Sequence, residues 1–215
     1  MRDYRIEGIG SIQGGEFDEL TVSGVGSNQG DIKADKIIIE GVFKSTGNIE
    51  ANLIDTEGVG EIEGNIRAKK ITVEGAMNIK NQQKVETEEL YCEGCFTTKG
   101  DLYADVVQAT GCIKANGIYG DNIQINSFGL KVNGFKKLMA KLNLTSSTNG
   151  SKVSIIEATT INLSGVQAET INGHDIVIGP GCTIDTVDCS GILKVHETSH
   201  VGKILGATEQ TKEII

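Results

Sequence analysis

Tryptophan is absent from this 215-residue chain, proline occurs once, and aromatic residues make up only 4% of it. Compact globular cores draw much of their buried area from large rings. A core here must come instead from small and branched aliphatic side chains laid down in layers. An excess of cations is also lacking. The formal net charge is -9, which disfavours nucleic-acid partners, where Lys and Arg must outnumber acids to neutralise phosphates. The N-terminus shows no basic stretch followed by an apolar run, so no signal peptide is expected. No run approaches the roughly 18 apolar residues of a membrane span. Five cysteines without a secretory signal suit a reducing compartment, where they serve as small buried apolar residues. These absences predict a soluble cytoplasmic protein.

What the chain has in quantity is glycine, 28 residues of it, in register. Gly24, Gly41, Gly58 and Gly75 are spaced by 17 residues, and Gly94 and Gly111 resume that spacing after one interval of 19. A second ladder holds Gly30, Gly47, Gly64, Gly100 and Gly117, with Asn81 in the missing slot. Asn shares the tolerance of Gly for positive φ, which would keep the corner geometry. Between the ladders run apolar columns. One is Leu20, Ile37, Ile54, Ile71, Leu90 and Val107, and another is Val22, Ile39, Thr56, Val73, Cys92 and Ala109. A third is Ile32, Ile49, Ile66, Val85 and Leu102, beside a column of small residues, Ala34, Ala51, Ala68, Thr87 and Ala104. The columns place a two-residue insertion between Asn81 and Val85.

Within each repeat the apolar positions recur every second residue and break at Gly or polar turns, the alternation of a strand with one face inward. The runs are too short for helices and rich in β-branched residues. A 17-residue unit holds three such strands and three corners, and like columns then stack at about 4.8 Å. The predicted fold is an all-β parallel β-helix, with the Ala column marking a corner where backbones approach. Leucine-rich repeats, the rival solenoid, require Leu columns and an Asn ladder that the repeat does not show.

The register fades after residues 1–126. Residues 127–152 carry Lys131, Lys136, Lys137, Lys141 and Lys152 and no acid. Phe135, Leu138, Met139 and Leu142 fall at i, i+3, i+4 and i+7, with Lys136, Lys137 and Lys141 on other faces, which suits a short amphipathic helix. Such a helix could cap the open end of the solenoid, or its cations could make a weak contact with anionic lipid; Thr145 to Gly150 reads as linker in either case. Strand alternation returns over 153–215, where Ile161 and Leu163, Ile176 and Ile178, Val187 and Cys189, and Leu193 and Val195 predict a second, shorter β-helical part with a polar tail from Thr208 to Glu213. Its placement, stacked on the first part or folded beside it, is left open.

The rung Gly41-Val42-Phe43-Lys44-Ser45-Thr46-Gly47-Asn48-Ile49-Glu50-Ala51, with the stretch from Ile156-Glu157-Ala158 to Ile176-Val177-Ile178-Gly179-Pro180-Gly181-Cys182-Thr183-Ile184, resembles the bactofilin family, polymer-forming cytoskeletal proteins of bacteria. The later stretch resembles a two-part subgroup with a basic hinge. The resemblance covers nearly the whole chain. It implies a right-handed β-helix and end-to-end assembly into filaments without nucleotide, with the chain itself or a related bactofilin as partner. Family members often carry a disordered N-terminal tail. Here Tyr4 and Ile6 already fit the first rung, so no tail of that kind is expected.

Assembly also follows from the repeat itself, because a terminal rung exposes unpaired backbone groups unless a polar cap covers it. The sequence places Tyr4, Ile6, Ile12 and Phe17 at the N-terminal end and Val195, Val201, Ile204 and Leu205 at the C-terminal end. Chemistry is harder to find. Cys95 and Cys112, 17 residues apart, should point outward about 5 Å from one another, within reach of a disulfide or a metal edge, while Cys92 should face inward, away from them. His196 and His200 do not converge in strand or loop, and His174 reads as a turn residue. The run Glu86-Thr87-Glu88-Glu89 reads as a solvated edge. The six-residue repeat of β-helix acyltransferases is absent, as are the clustered carboxylates and sugar platforms of β-helix glycosidases and lyases, and no Gly loop precedes a helix to cradle phosphate. The sequence therefore predicts no catalysis, cofactor, metal or small-molecule substrate. The alternative to a self-assembling scaffold is a monomeric or small-oligomer adaptor that offers flat β faces to partner proteins.

Overall fold

The computed structural model describes residues 2–80, 82–127 and 150–206, together with the backbone of 209–212. Every paired strand among them is parallel to its neighbours and joined to the strand one turn earlier or later, which produces a parallel β-solenoid of about 11 turns. No α-helix occurs among the described residues.

One turn shows how the sequence makes the coil. The strand Val42–Ser45 forms a first face, with Phe43 and Ser45 buried. A corner at Thr46, Gly47 and Asn48 leads into the strand Ile49–Thr56, which covers two faces. Its burial alternates up to Ala51, then Asn52 and Leu53 both turn outward, and alternation resumes with Ile54 and Thr56 inside. The pairing register skips Asn52, so the strand bends there. Small side chains just before this bend let the chain turn without a gap or a clash, which accounts for the column Ala34, Ala51, Ala68, Thr87 and Ala104. Inside, Ile37, Ile54, Ile71, Leu90, Val107, Ile123, Ile161 and Ile176 stack in unbroken register, all buried. Each contributes about 1.5–3 kcal/mol by leaving water, and the branched chains interlock from rung to rung.

The glycine ladders have a different cause from the one expected. None of Gly24, Gly41, Gly58, Gly75, Gly94 or Gly111 has a positive φ. They are required because the chain of the preceding rung passes too close: a Cβ on Gly75 would lie 2.1 Å from the Gly58 carbonyl oxygen, and one on Gly41 would lie 2.0 Å from that of Gly24. The second ladder also differs. Ile66 pairs with Val85, so the slot above Gly64 falls to Gln83, not to Asn81, and the Gln83 carbonyl oxygen is the atom that a Cβ on Gly100 would meet. Above Gly100 the turn is one residue shorter, and Asn116 rather than Gly117 occupies the slot. The two inserted residues sit at this corner, as the columns indicate, and leave the strands on either side in register.

A short amide ladder, which the repeat pattern did not reveal, runs up the same corner. The backbone N–H and side-chain amide of Asn48 donate to Asp31 Oδ1, and those of Asn65 donate to Asn48 Oδ1. Lys84 N–H then donates to Asn65 Oδ1. Corner amides that no strand pairs are satisfied this way, one rung at a time.

The second half is not a separate body. Ser151–Ser164 pairs directly along Cys112–Asn126, with Ile118 on Ile156 and Ile123 on Ile161. The later turns are 15, 16 and 17 residues long, from Lys152 to Gln167 to Thr183 to His200. Ser151 and Lys152 already belong to this strand, so the expected linker ends before them. The rest of that segment, including the expected helix and Phe135, Lys136, Lys137, Leu138, Met139, Lys141 and Leu142, lies outside the described residues. Part of the polar tail is a strand: Glu209–Lys212 pairs with Ile192–Val195 and adds to the column.

Three substitutions test this architecture. Gly75→Ala should lower stability by about 2–3 kcal/mol by forcing backbones apart, whereas Gly8→Ala, where a Cβ would meet nothing within 4 Å, should change it by less than about 0.5 kcal/mol. Thr56 is fully buried, with no partner for its hydroxyl among the described residues. Thr56→Val should therefore stabilise the protein by about 1 kcal/mol. Urea denaturation of the three variants provides both measurements.

Candidate functional site

Among the described residues, the first turn of the solenoid has an edge that no strand pairs. Tyr4–Ile6 pairs only with Gly15–Val22, and Ile9–Ile12 only with Val25–Asn28. The opposite edges of both first strands face no strand among the described residues. Of the side chains expected at this rim, Ile6, Ile12 and Phe17 are buried in the central core. Tyr4 is partly exposed, its ring 6.0 Å from that of Phe17. The residue most available at this rim is Ile9, an outward position in the first strand of the first face and almost fully exposed. It could have been found from the alternation alone, because Gly10 and Ile12 take the inward positions of the same strand. At the other end, Val195, Val201 and Ile204 are half-buried against the core and Leu205 is exposed. The Val195 backbone is covered by Lys212 of the last strand.

Between the rims the outer faces are dominated by paired charge. One column reads Glu16, Lys33, Glu50, Arg67 and Glu86, each in register with the next. Lys33 meets Glu50 at 3.1 Å, and Arg67 meets Glu86 at 2.7 Å. Hydrogen bonds from Lys84 and Arg67 hold the Glu86 carboxyl below its ordinary range. Glu89 pairs with Lys70 at 3.5 Å, while Thr87 turns inward. The acidic run is therefore a solvated, ion-paired strand. On the first face Glu61 sits between Lys80 at 2.9 Å and Lys44 at 3.2 Å. Burial pushes its carboxyl up, but the hydrogen bonds and charges of the two lysines outweigh burial and hold it below its ordinary value. Tyr103 and Tyr119 stack at 5.0 Å with Lys84 Nζ 4.3 Å from the Tyr103 ring, so the rings face each other and a cation.

The cysteines depart from expectation. Cys95 and Cys112 are in register on adjacent turns and alternate with the inward Phe96 and Ile113, but both are buried rather than solvent-facing. Cys92 faces inward, in the central core, as expected; its Sγ lies 3.9 Å from the Cys112 backbone carbonyl oxygen, and burial pushes its thiol up to about 12. The hydrogen bond from Cys95 favours the Cys112 thiolate over that of Cys95. All five thiols are free. His174 Nδ1 lies 3.0 Å from Ser190 Oγ, and His196 Nδ1 lies 2.9 Å from Thr198 Oγ1. The pairs are exposed at corners, and His200 is in a different strand. Among the described residues no group of three or more His, Cys, Asp or Glu side chains is placed to hold a metal ion, and no helix is long and apolar enough to cross a membrane.

Comparison with protein-family models, with curated proteins and with solved structures finds nothing that matches the chain.

Glu61 offers a pH test. Because its pKa is lower in the folded state, its contribution to stability is present above about pH 4.5, its ordinary value, and is lost as the pH falls through the lowered folded value. Glu61→Gln should cost roughly 0.5–1 kcal/mol at pH 7 and less at pH 3. Equal losses at both pH values in urea titrations would contradict the ion-pair assignment.

Proposed function

We propose that this chain is a structural scaffold subunit that self-assembles through the ends of its β-solenoid into filaments, without nucleotide. The observation that carries this reading is the N-terminal rim, where the first strands of two faces present an unpaired edge above an unbroken apolar core. Such an edge is a template for one more rung, and the chemically suitable rung is the end of another copy. If the interface joins unlike ends it does not close on itself, so the product is a filament.

The long faces favour the same outcome. Ion-paired outer columns are well hydrated and offer no large apolar patch for sideways association, which leaves the ends as the adhesive surfaces. The rung motif's similarity to bactofilins supports the reading, with a second copy or a related bactofilin as partner. An adaptor that displays the charged faces to other proteins is the reading that a monomer would support.

Analytical ultracentrifugation and negative-stain microscopy of the purified protein should show assemblies that lengthen with concentration. A strict monomer at high concentration refutes the proposal. Replacing Ile9 with Lys should shorten the assemblies and leave the fold intact, since the side chain is exposed. A charge at Ile6 or Ile12 would instead disrupt the buried first turn, at a cost of several kcal/mol.

A further inference from the structure

Two of the five thiols lie outside the central core. Cys95 and Cys112 occupy the same outward position of the first face on consecutive turns, and their backbones pair directly. Cα atoms paired in this way lie about 4.8 Å apart, inside the span of roughly 4.4–6.8 Å that a disulfide bridges. Their side chains meet as well. The Cys95 thiol donates a hydrogen bond to Cys112 Sγ, and the Cys112 thiol donates in turn to the Gly150 carbonyl oxygen, 3.6 Å away. The other three thiols have no such neighbour. Cys92 pairs with Val73 and Ala109, Cys189 pairs with Gly173, and Cys182 turns its thiol to the Pro180 carbonyl oxygen, all within the core.

The two members of the pair are not equivalent. The hydrogen bond from Cys95 holds the Cys112 thiol down to about 7 against the opposing effect of burial, and the charge of Lys114, the next outward residue of the same strand, helps it. The same hydrogen bond, with burial, raises Cys95. One sulfur is therefore ready to act as a nucleophile while the other keeps its proton beside it, as in an attacking thiol and its resolving partner. Packing alone does not ask for sulfur here. Ala76 fills the same outward position one turn earlier and is as well buried.

We propose that Cys95 and Cys112 form a peroxide-oxidisable dithiol, which closes to a disulfide between consecutive turns and reopens with thiol reductants. The Cys112 thiolate attacks one oxygen of hydrogen peroxide and the O–O bond breaks. Hydroxide leaves and takes up a proton to become water, and Cys112 becomes a sulfenic acid. Cys95 Sγ then attacks Cys112 Sγ and the S–O bond breaks. The departing hydroxyl takes the Cys95 proton as a second water. The two sulfurs together lose two electrons, which the peroxide gains. At 8% and 2% exposure the pair favours an oxidant close to water in size over a bulky one such as oxidised glutathione. The bond closes a loop of 17 residues and ties one turn covalently to the next, whether or not the chain self-assembles.

Mass spectrometry of the intact, folded chain tests this. A small excess of hydrogen peroxide should lower the mass by two hydrogens, and peptide mapping without reductant should find the Cys95 and Cys112 peptides joined. Cys92, Cys182 and Cys189 should remain thiols, and dithiothreitol should restore the starting mass. In Cys95→Ser the sulfenic acid has no resolving partner, so dimedone should capture it at Cys112. In Cys112→Ser, capture at Cys95 should be at least roughly tenfold weaker. Free thiols at both positions after peroxide treatment overturn the proposal. So does a disulfide that forms only in urea, one that joins two chains, or oxidation to sulfonic acid without a bridge. Equal capture in the two variants overturns the assignment of Cys112 as the attacking thiol.

Discussion

Each rung of this protein hydrogen-bonds to the next in one register, and that translation governs everything built on it. Parallel pairing at a fixed offset places like residues over like: Ile54 over Ile37, Asn65 over Asn48, Gly75 over Gly58. The ladder can close only if the corners let two backbones approach to a distance that no Cβ tolerates. The ladder glycines supply that approach without left-handed conformations. They are spacing elements more than hinges. Where the ladder lacks a glycine, Gln83 takes the slot within the two-residue insertion, and the strands on either side keep their alignment.

The column structure was legible in the sequence because translation repeats it. Any position that faces inward does so in nearly every turn, so Ile37, Ile54 and Ile71 identify one another. Features that depend on neighbours rather than on period were not legible. The expected slot for Asn81 counted residues where the structure counts hydrogen bonds, and the insertion separates the two. The amide ladder from Asp31 to Asn65 escaped notice since it is only three residues long and stops at Lys84. Cys95 and Cys112 occupy the outward position that alternation gives them, yet they are buried, because period fixes a side chain's direction and not what lies over it. Ile6 and Ile12 face the core from the first turn, and Ile9 of the same turn is the exposed apolar residue.

The outer surfaces divide the labour. All three faces carry ion pairs of a kind that adds little stability each but keeps the coil hydrated along its length. The first face carries an outward apolar column of Ile9, Val25, Val42, Val59, Ala76, Cys95 and Cys112, exposed at Ile9 and Val25 and buried from Val59 onward. Water-repelling surface thus persists in the first turns of the coil, both on the rim and around the corner from it.

The charge column of Glu16, Lys33, Glu50, Arg67 and Glu86 has a consequence for how the coil finds its own alignment. Apolar columns repeat every turn, so a strand that skipped one turn and paired with the next would still bury Ile on Ile. The charges repeat every second turn. Under such a slip Glu16 would face Glu50, and Lys33 would face Arg67, setting like charges side by side along a whole face. The alternation therefore works as a parity check, marking as wrong an error that the greasy interior would accept.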